Sequence, residues 1–525
     1  MRPRVVGLGE LWEQVGRKEA DDLSEWASLI GDLTSPQADR RPEWRIHDRT
    51  HLEYSIDYHF DAARRRDDHV WEAYFFLPTS LRLNSRTYKR DDIYGDLQSY
   101  VRLAVPSVPL DQLPDEGVLR LKQALLDSTD DARTIRELRL FACQVRASGI
   151  AAQRTVSKMI ESEDDRELHA SALALIARLE NITAAFRSVL PLASNRSDEV
   201  ATAVRWVDED ISRVVETLLA SLSIELRGAK LGRPLAGTVA YGAVREARYR
   251  ESKGLDGVGS AHATKREIEH FEFRRHMTKR FTSSVLWLSP EIQEAGRWTA
   301  HVLYAVAACG AMAFAVTAAF WVGPQFGERP VQQLWAWMLL AVAAYAGKDR
   351  IKALLQQAFS GWIARRFPHR RWSLRDRERN ANIGRVSEKA GFVGWADLPE
   401  GAQSARNLTR RVELEAQARP EHILWHQKSV RLRPQRIASS DSRFMAITDI
   451  FRLDLRRWLS HTDDPKRRIV FADPEDERIY SATAPRVYNI GVVFRLRRAD
   501  EHDAPWHRIR VVVNRKGIVR IDPIS

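Results

Sequence analysis

The residues best suited to chemistry are three groups of carboxylates. Asp91, Asp92 and Asp96 fall in KRDDIYGDL, Asp463 and Asp464 precede PKRR, and Asp473, Glu475, Asp476 and Glu477 follow it. Such groups can hold a divalent cation or exchange a proton, provided that they converge on one point. The latter two groups border the basic PKRR run and read as solvated turns. Asp91, Asp92 and Asp96 read as a helix start, where the helix dipole favours negative charge. His270 and His276 lack the i, i+4 spacing of a helical metal pair. His301 stands alone in an apolar run and reads as incidental. Gly254, Gly257 and Gly259 have neither a preceding strand nor a following GK[ST], so they do not read as a phosphate loop. No GxSxG, HExxH, Walker A or CxxC motif occurs. No catalytic, cofactor-binding or metal residue is therefore assigned, and no cofactor is expected.

These residues are carried by 525 residues with 82 Lys+Arg against 70 Asp+Glu, a formal charge of +12. Mean hydropathy is −0.40. A chain with 29% charged residues and 16 Trp is neither mostly disordered nor a polytopic membrane protein. Cys143 and Cys309 are too few for a disulfide framework and suit a reducing compartment. Cys309 reads as a small hydrophobe inside its apolar run. The N-terminus has basic residues without a following apolar stretch, which does not fit a cleavable signal peptide.

One segment departs from these averages. Trp298 to Val322 contains no Asp, Glu, Lys or Arg over 25 residues. As a helix it would rise about 37 Å, enough for a hydrocarbon core of about 30 Å. A second apolar run, Val331 to Gly347, follows a short loop. The two predict a transmembrane hairpin whose core includes Trp298, Ala307, Ala311, Ala315, Ala319, Val322, Val331, Trp335, Trp337 and Gly347. Cations before the first run and after the second place both termini in the cytoplasm. Ala307, Ala311, Ala315 and Ala319 recur every four residues, a stripe on which the second span or another protomer could pack. After the second run, Ile351, Leu354, Leu355, Ala358, Phe359, Trp362 and Ile363 form an apolar helical stripe. This amphipathic helix either lies along the interface or continues the span.

Around the hairpin the periodicity changes. Leu52, Tyr54, Ile56, Tyr58 and Phe60 alternate with polar residues, and Val70–Leu77 follows a polar loop, which predicts a β-hairpin. From about Pro114 to Arg227 the stripes are helical: one runs through Leu175, Leu179, Ile182 and Phe186, another through Val204, Val207, Ile211 and Leu218. Residues 228–262 are Gly-rich and read as a linker, followed by a basic helix from Lys265. In the C-terminal part, His422–Arg433, Val487–Leu496, His507–Val513 and Ile518–Ile521 read as strands, and Ile447–Leu459 as a short helix.

The fold class expected is thus an α+β membrane protein. A two-helix transmembrane hairpin lies between an N-terminal β-hairpin and helical-bundle region and a small C-terminal α+β module. The divisions fall at 1–113 (N-terminal α+β region), 114–227 (bundle), 228–297 (linker and juxtamembrane helix), 298–347 (hairpin), 348–367 (amphipathic helix) and 368–525 (basic β-rich module). Val70–Leu77 with LRLN, and the closing VVVNRKGIVRI, resemble segments of uncharacterised bacterial two-span membrane proteins. That resemblance implies a bacterial inner-membrane setting and no activity.

Residues 351–525 hold 35 Lys+Arg and 21 Asp+Glu, a charge of +14, whereas the first 350 carry −2. The excess points to an anionic lipid surface contacted by Lys352, Arg365, Arg366, Arg370, Arg371, Arg431, Arg433 and Arg436, each cation contributing about 1 kcal/mol near the leaflet. Nucleic acid would feel the same charge, but no nucleic-acid-binding motif accompanies it. The expected function is a non-enzymatic inner-membrane scaffold or sensor binding a partner, anionic lipid head groups, or both. The alternatives are an oligomeric pore built from the hairpin, with homo-oligomers meeting on the alanine stripe, and an enzyme with an unfamiliar site.

Overall fold

The computed structural model describes residues 42–524 except 128, 162–164, 230–231, 256–261, 294–296, 323–333, 377–379, 408–420, 476 and 502. The N-terminal segment, Gly257, Gly259, the loop at 323–330, Val331 and Asp476 lie outside the described residues.

In chain order, β1 (Glu43–Ile46), β2 (His51–His59), β3 (Asp67–Pro78), α1 (Arg90–Asp96) and β4 (Leu97–Leu103) come first. Six helices follow: α2 (Val118–Leu126), α3 (Asp131–Glu161), α4 (Asp165–Val189), α5 (Asp198–Gly228), α6 (Arg233–Ser252) and α7 (Lys265–Ser283). Strand β5 (Leu288–Gln293) leads to α8 (Arg297–Val322) and α9 (Leu334–Arg366). Then come β6 (Arg370–Asp376), β7 (Asn382–Val393), α10 (Glu400–Asn407), β8 (Glu421–Leu432), α11 (Pro434–Ser440), β9 (Ala446–Asp454) and α12 (Arg456–Leu459). The last strands are β10 (Lys466–Asp473), β11 (Arg478–Pro485), β12 (Tyr488–Arg498), β13 (His507–Asn514) and β14 (Gly517–Ile524).

Two antiparallel sheets face each other. One has eight strands in the order β14-β13-β12-β3-β8-β7-β6-β5, the other four in the order β1-β2-β9-β4. Their inner faces share one core. Tyr54 of β2 stacks on Phe451 of β9 with centroids 4.6 Å apart and lies 5.5 Å from Trp71 of β3. The N-terminal region and the C-terminal module are therefore one body, because β3 pairs with β8 and β12 while β9 lies between β2 and β4.

This pairing corrects several expectations. β2 and β3 do not form a hairpin, since they belong to opposite sheets and each takes C-terminal strands as partners. Ile447–Asp454 is a strand with both faces buried rather than the start of a helix; only Arg456–Leu459 is helical. The stretch read as a linker contains α6, which buries Leu235, Ala236, Val239 and Ala243 in the bundle core. The strand–turn–strand reading of the last segment holds, with β13 paired to β14 through Asn514↔Gly517.

The bundle stripes do form one core, including Leu175, Leu179, Ile182, Phe186, Val204, Val207, Ile211 and Leu218. Buried ion pairs cross it: Arg146 of α3 donates to Asp210 of α5, and Arg274 of α7 donates to Glu209 at 2.8 Å. Helix α3 is joined to the sheets by Arg443, which donates to Glu137 at 2.8 Å. Cys143 of α3 is buried beside Thr282, and burial pushes its thiol up to about 12, so it is inert.

The two-helix transmembrane hairpin is the largest correction. The chain is a mixed helix-and-sheet protein, and among the described residues only α8, over His301–Ala318, is long and apolar enough to cross a membrane. In α9 the apolar stretch runs from Leu334 to Gly347 and is ended by Lys348, Asp349, Arg350 and Lys352. That stretch rises about 21 Å, short of a core about 30 Å thick. The two helices pack antiparallel: a Cβ on Gly310 would meet Leu355, and one on Gly347 would meet Phe314. The charged segment of α9 therefore lies level with the middle of α8.

Candidate anionic-surface site

The excursion that carries α8 and α9 begins and ends on one sheet edge. β5 and β6 pair antiparallel with Gln293 opposite Arg371, so the chain leaves and re-enters the eight-stranded sheet at adjacent points. Beyond that root, large apolar side chains stand in the open: Trp298 is 80% exposed, Trp335 71%, Leu339 69% and Val342 61%. Phe320, Tyr345 and Leu354 are exposed as well. Soluble monomers rarely leave apolar patches of this extent uncovered. Ala307 and Ala311 are buried where α9 packs, and Ala315 is half-buried, so the alanine stripe is used within this chain. Ala319 and Val322 belong to the last turns of α8, while Trp337 and Gly347 belong to α9. Cys309 is exposed on α8 rather than packed.

The basic residues separate by element. Lys352, Arg365 and Arg366 belong to the half of α9 nearer the sheet, and Arg370 and Arg371 open β6. Arg371 alternates with the buried Trp372 and Leu374 and so belongs to the outer face of the sheet. Register places Ser373 opposite Arg385 on β7, and Arg385 opposite Arg431 on β8. Two arginines directly opposed across adjacent strands are unfavourable. Partial burial, then repulsion from Arg385 and Arg431, holds the Arg371 guanidinium below its usual range. Arg431 is partly offset by Asp68, at 3.1 Å. The result is a basic outer face (Arg371, Arg385 and Arg431) next to the root of the helical excursion.

Sequence reasoning named Arg371 and Arg431 but missed Arg385, whose neighbours in GRVSEK give no cluster. Its one signal is phase: it is exposed between the buried Gly384 and Val386, on the face opposite to theirs. Arg433 and Arg436 do not join this face. They lie past the end of β8, with Arg436 donating to the Asn382 carbonyl at 3.2 Å. Arg370 instead lies over the Tyr94 ring at 4.2 Å.

His369 forms the joint between α9 and β6. Its Nδ1 accepts the Ala390 backbone N–H at 3.2 Å and lies 3.3 Å from the Tyr94 hydroxyl. An Nδ1 that accepts from a backbone amide belongs to a neutral ring protonated on Nε2. Burial pushes the His369 pKa down to about 4, with the charges of Arg90 and Lys389 adding to it. A folded pKa below the unfolded value of about 6.5 means that the unfolded chain takes up the proton first. The stability owed to neutral His369 is present above about pH 6.5 and is lost as the pH falls toward 4. Thermal melts between pH 7 and pH 4.5 should show a larger drop for the wild type than for His369→Gln; equal drops would remove this assignment.

Among the carboxylates considered first, Asp92, Asp96, Asp463 and Asp464 are occupied structurally. Asp92 accepts the Lys89 backbone N–H at 2.9 Å at the start of α1, the role expected of a helix N-terminus. Arg457 pairs with both Asp92 and Asp96, and the Tyr88 hydroxyl donates to Asp96 at 2.8 Å. Asp463 pairs with Arg486 at 2.7 Å and Asp464 with Arg515 at 3.0 Å. A cleft of about 800 Å³ lies elsewhere, lined by Asn84, Arg86, Trp395, Glu421 and His422 among others.

A further polar group was not legible in sequence. Lys428 of β8, buried between the sheets, lies 2.5 Å from Asp449 of β9 and 3.4 Å from its register partner Glu388 of β7. It also donates to Ser99 Oγ at 2.6 Å, and Ser99 donates to Asp449 at 2.9 Å. Two carboxylates thus share one ammonium in the core. No protein-family model matches the chain, and no curated protein or solved structure matches it.

Proposed function

We propose that the protein is a membrane-attached binding protein held on one face of an anionic bilayer by a half-inserted helical excursion. The apolar parts of α8 and α9 enter the near leaflet. The level of Lys348–Lys352 marks the head groups, and the outer sheet face with Arg371, Arg385 and Arg431 lies toward them. An apolar stretch of 10–14 residues suits a re-entrant or interfacial segment better than a span. Lys and Arg beside the insertion add about 1 kcal/mol each on an anionic surface. The two-sheet body and bundle would then serve as a scaffold or sensor on the cytosolic side of the inner membrane. The observation carrying this reading is the β5–β6 pairing, which returns the chain to the same edge with exposed apolar side chains between.

The test is flotation of the full chain with vesicles, combined with labelling. In a Cys309→Ser background, Trp335→Cys should stay unlabelled by an impermeant maleimide trapped in the vesicle lumen. Labelling from the lumen would overturn half-insertion. Replacing Arg371, Arg385 and Arg431 with Gln should weaken binding to anionic vesicles roughly 100-fold at low salt while sparing neutral ones. An equal effect on both vesicle types would remove the electrostatic role.

A further inference from the structure

Strands β10 and β11 pair from Lys466↔Pro485 to Asp473↔Arg478 and form a sheet of their own. No third strand joins either edge among the described residues. A lone two-stranded ribbon is marginal in water and ordinarily needs another strand or a packed face. Among the described residues this ribbon has no third strand and its side chains are mostly exposed, although both of its faces are apolar in the middle. Ile469, Phe471 and Tyr480 share one face, with the Phe471 and Tyr480 rings stacked at 6.1 Å. Val470 and Ile479 are on the other and are 65% and 79% exposed.

Charge divides the ribbon lengthwise. Its base carries Lys466, Arg467 and Arg468, whereas Asp473, Glu475 and Glu477 gather at the tip, where Arg478 stands opposite Asp473. The two edges also differ. β11 ends in Pro485, which cannot donate to a further strand, while β10 contains no proline.

We propose that β10 pairs antiparallel with β10 of a second copy of this chain, joining two ribbons into a four-stranded sheet across a two-fold axis. Antiparallel pairing lays the basic base of each copy against the acidic tip of the other. With Val470 opposite its own mate, Arg467 faces Asp473 of the second copy and Ile469 faces Phe471 of the second copy, each twice. Residues opposed in this way share a sheet face, so the ion pairs and apolar pairs form without a change of register. A two-fold contact needs one surface that complements itself, and this strand supplies both halves. An anionic leaflet is a poor occupant, since it would repel Asp473, Glu475 and Glu477 at the tip.

Sedimentation of the full chain in mild detergent tests the pairing. The wild type should be dimeric. Lys466→Glu/Arg467→Glu/Arg468→Glu and Asp473→Lys/Glu475→Lys/Glu477→Lys should each weaken association roughly tenfold or more, and an equimolar mixture should restore it. Val470→Pro, which leaves the charge unchanged, should also dissociate the dimer. Because the ribbon is exposed, all these variants should melt with the wild type. A monomeric wild type, a dimer indifferent to both swaps, or a mixture no better than its components would each overturn the proposal. Indifference to the swaps would assign association to α8 and α9 instead.

Discussion

Lys428→Met should destabilise the protein by about 3–5 kcal/mol, the cost of removing one partner from a buried ion pair. The side chain is fully buried between Asp449 and Glu388, and methionine fills a similar volume. The loss is therefore electrostatic rather than a cavity. Burial holds Asp449 above the usual carboxylate range, with Lys428 pulling it down and Glu388 pushing it up. Burial also raises Glu388, but the Lys428 charge and the contact with His426 outweigh it and leave it below its usual value. Removing Lys428 takes away the lowering influence on both acids. A carboxylate whose folded pKa is raised contributes stability that is present at low pH and lost as pH rises through that pKa. The deficit of the variant should therefore be largest near neutrality and shrink as the pH approaches 4, which denaturant titrations at several pH values would read. Apolar replacement of Lys428, Asp449 and Glu388 together should recover most of the loss, because the unpaired charge is then gone. If Lys428→Met costs under about 1 kcal/mol at pH 7, the ammonium is not held as described.

The second large effect concerns attachment. Leu339→Asp with Val342→Asp should abolish flotation with vesicles while leaving the melting temperature unchanged. Both side chains are exposed on α9, so neither contributes packing to the body. A carboxylate at intermediate depth costs about 1–3 kcal/mol, so the pair should lower partitioning roughly 30-fold or more. Undiminished flotation would place α9 outside the bilayer and remove the proposed attachment.

Local pattern made much of the architecture legible. The uncharged run at 298–322, the helical stripes through Leu179 and Val207, and the closing strand–turn–strand all appear as elements in the structure. Each depends on which face of one segment is buried, and periodicity reports that directly. The second apolar run is misleading by itself because its length takes no account of its neighbour. Only packing against α8 shows that Lys348–Lys352 lie level with the middle of the first helix, which rules out a paired span.

The basic site was half legible. Net charge locates the excess after residue 350, and local density points to Arg371 and Arg431. Their union with Arg385 required the register of three strands. Arg433 and Arg436, equally dense in sequence, lie beyond the strand end.

By itself, then, the sequence determined the apolar excursion, the helical stripes, six of the fourteen strands among the described residues (β2, β3, β8, β12, β13 and β14) and the side of the chain that carries the positive charge. Tertiary structure decided that β2 and β3 part into opposing sheets and that both find C-terminal partners. It also decided that Lys428, which alternates in phase with Leu424, Val430 and Leu432, points into the core toward Asp449 rather than out to solvent. The physical reason is that alternation marks a buried face without naming what covers it. Tyr58 and Asp449 meet across 391 residues, and the stabilisation of that contact belongs to no local segment.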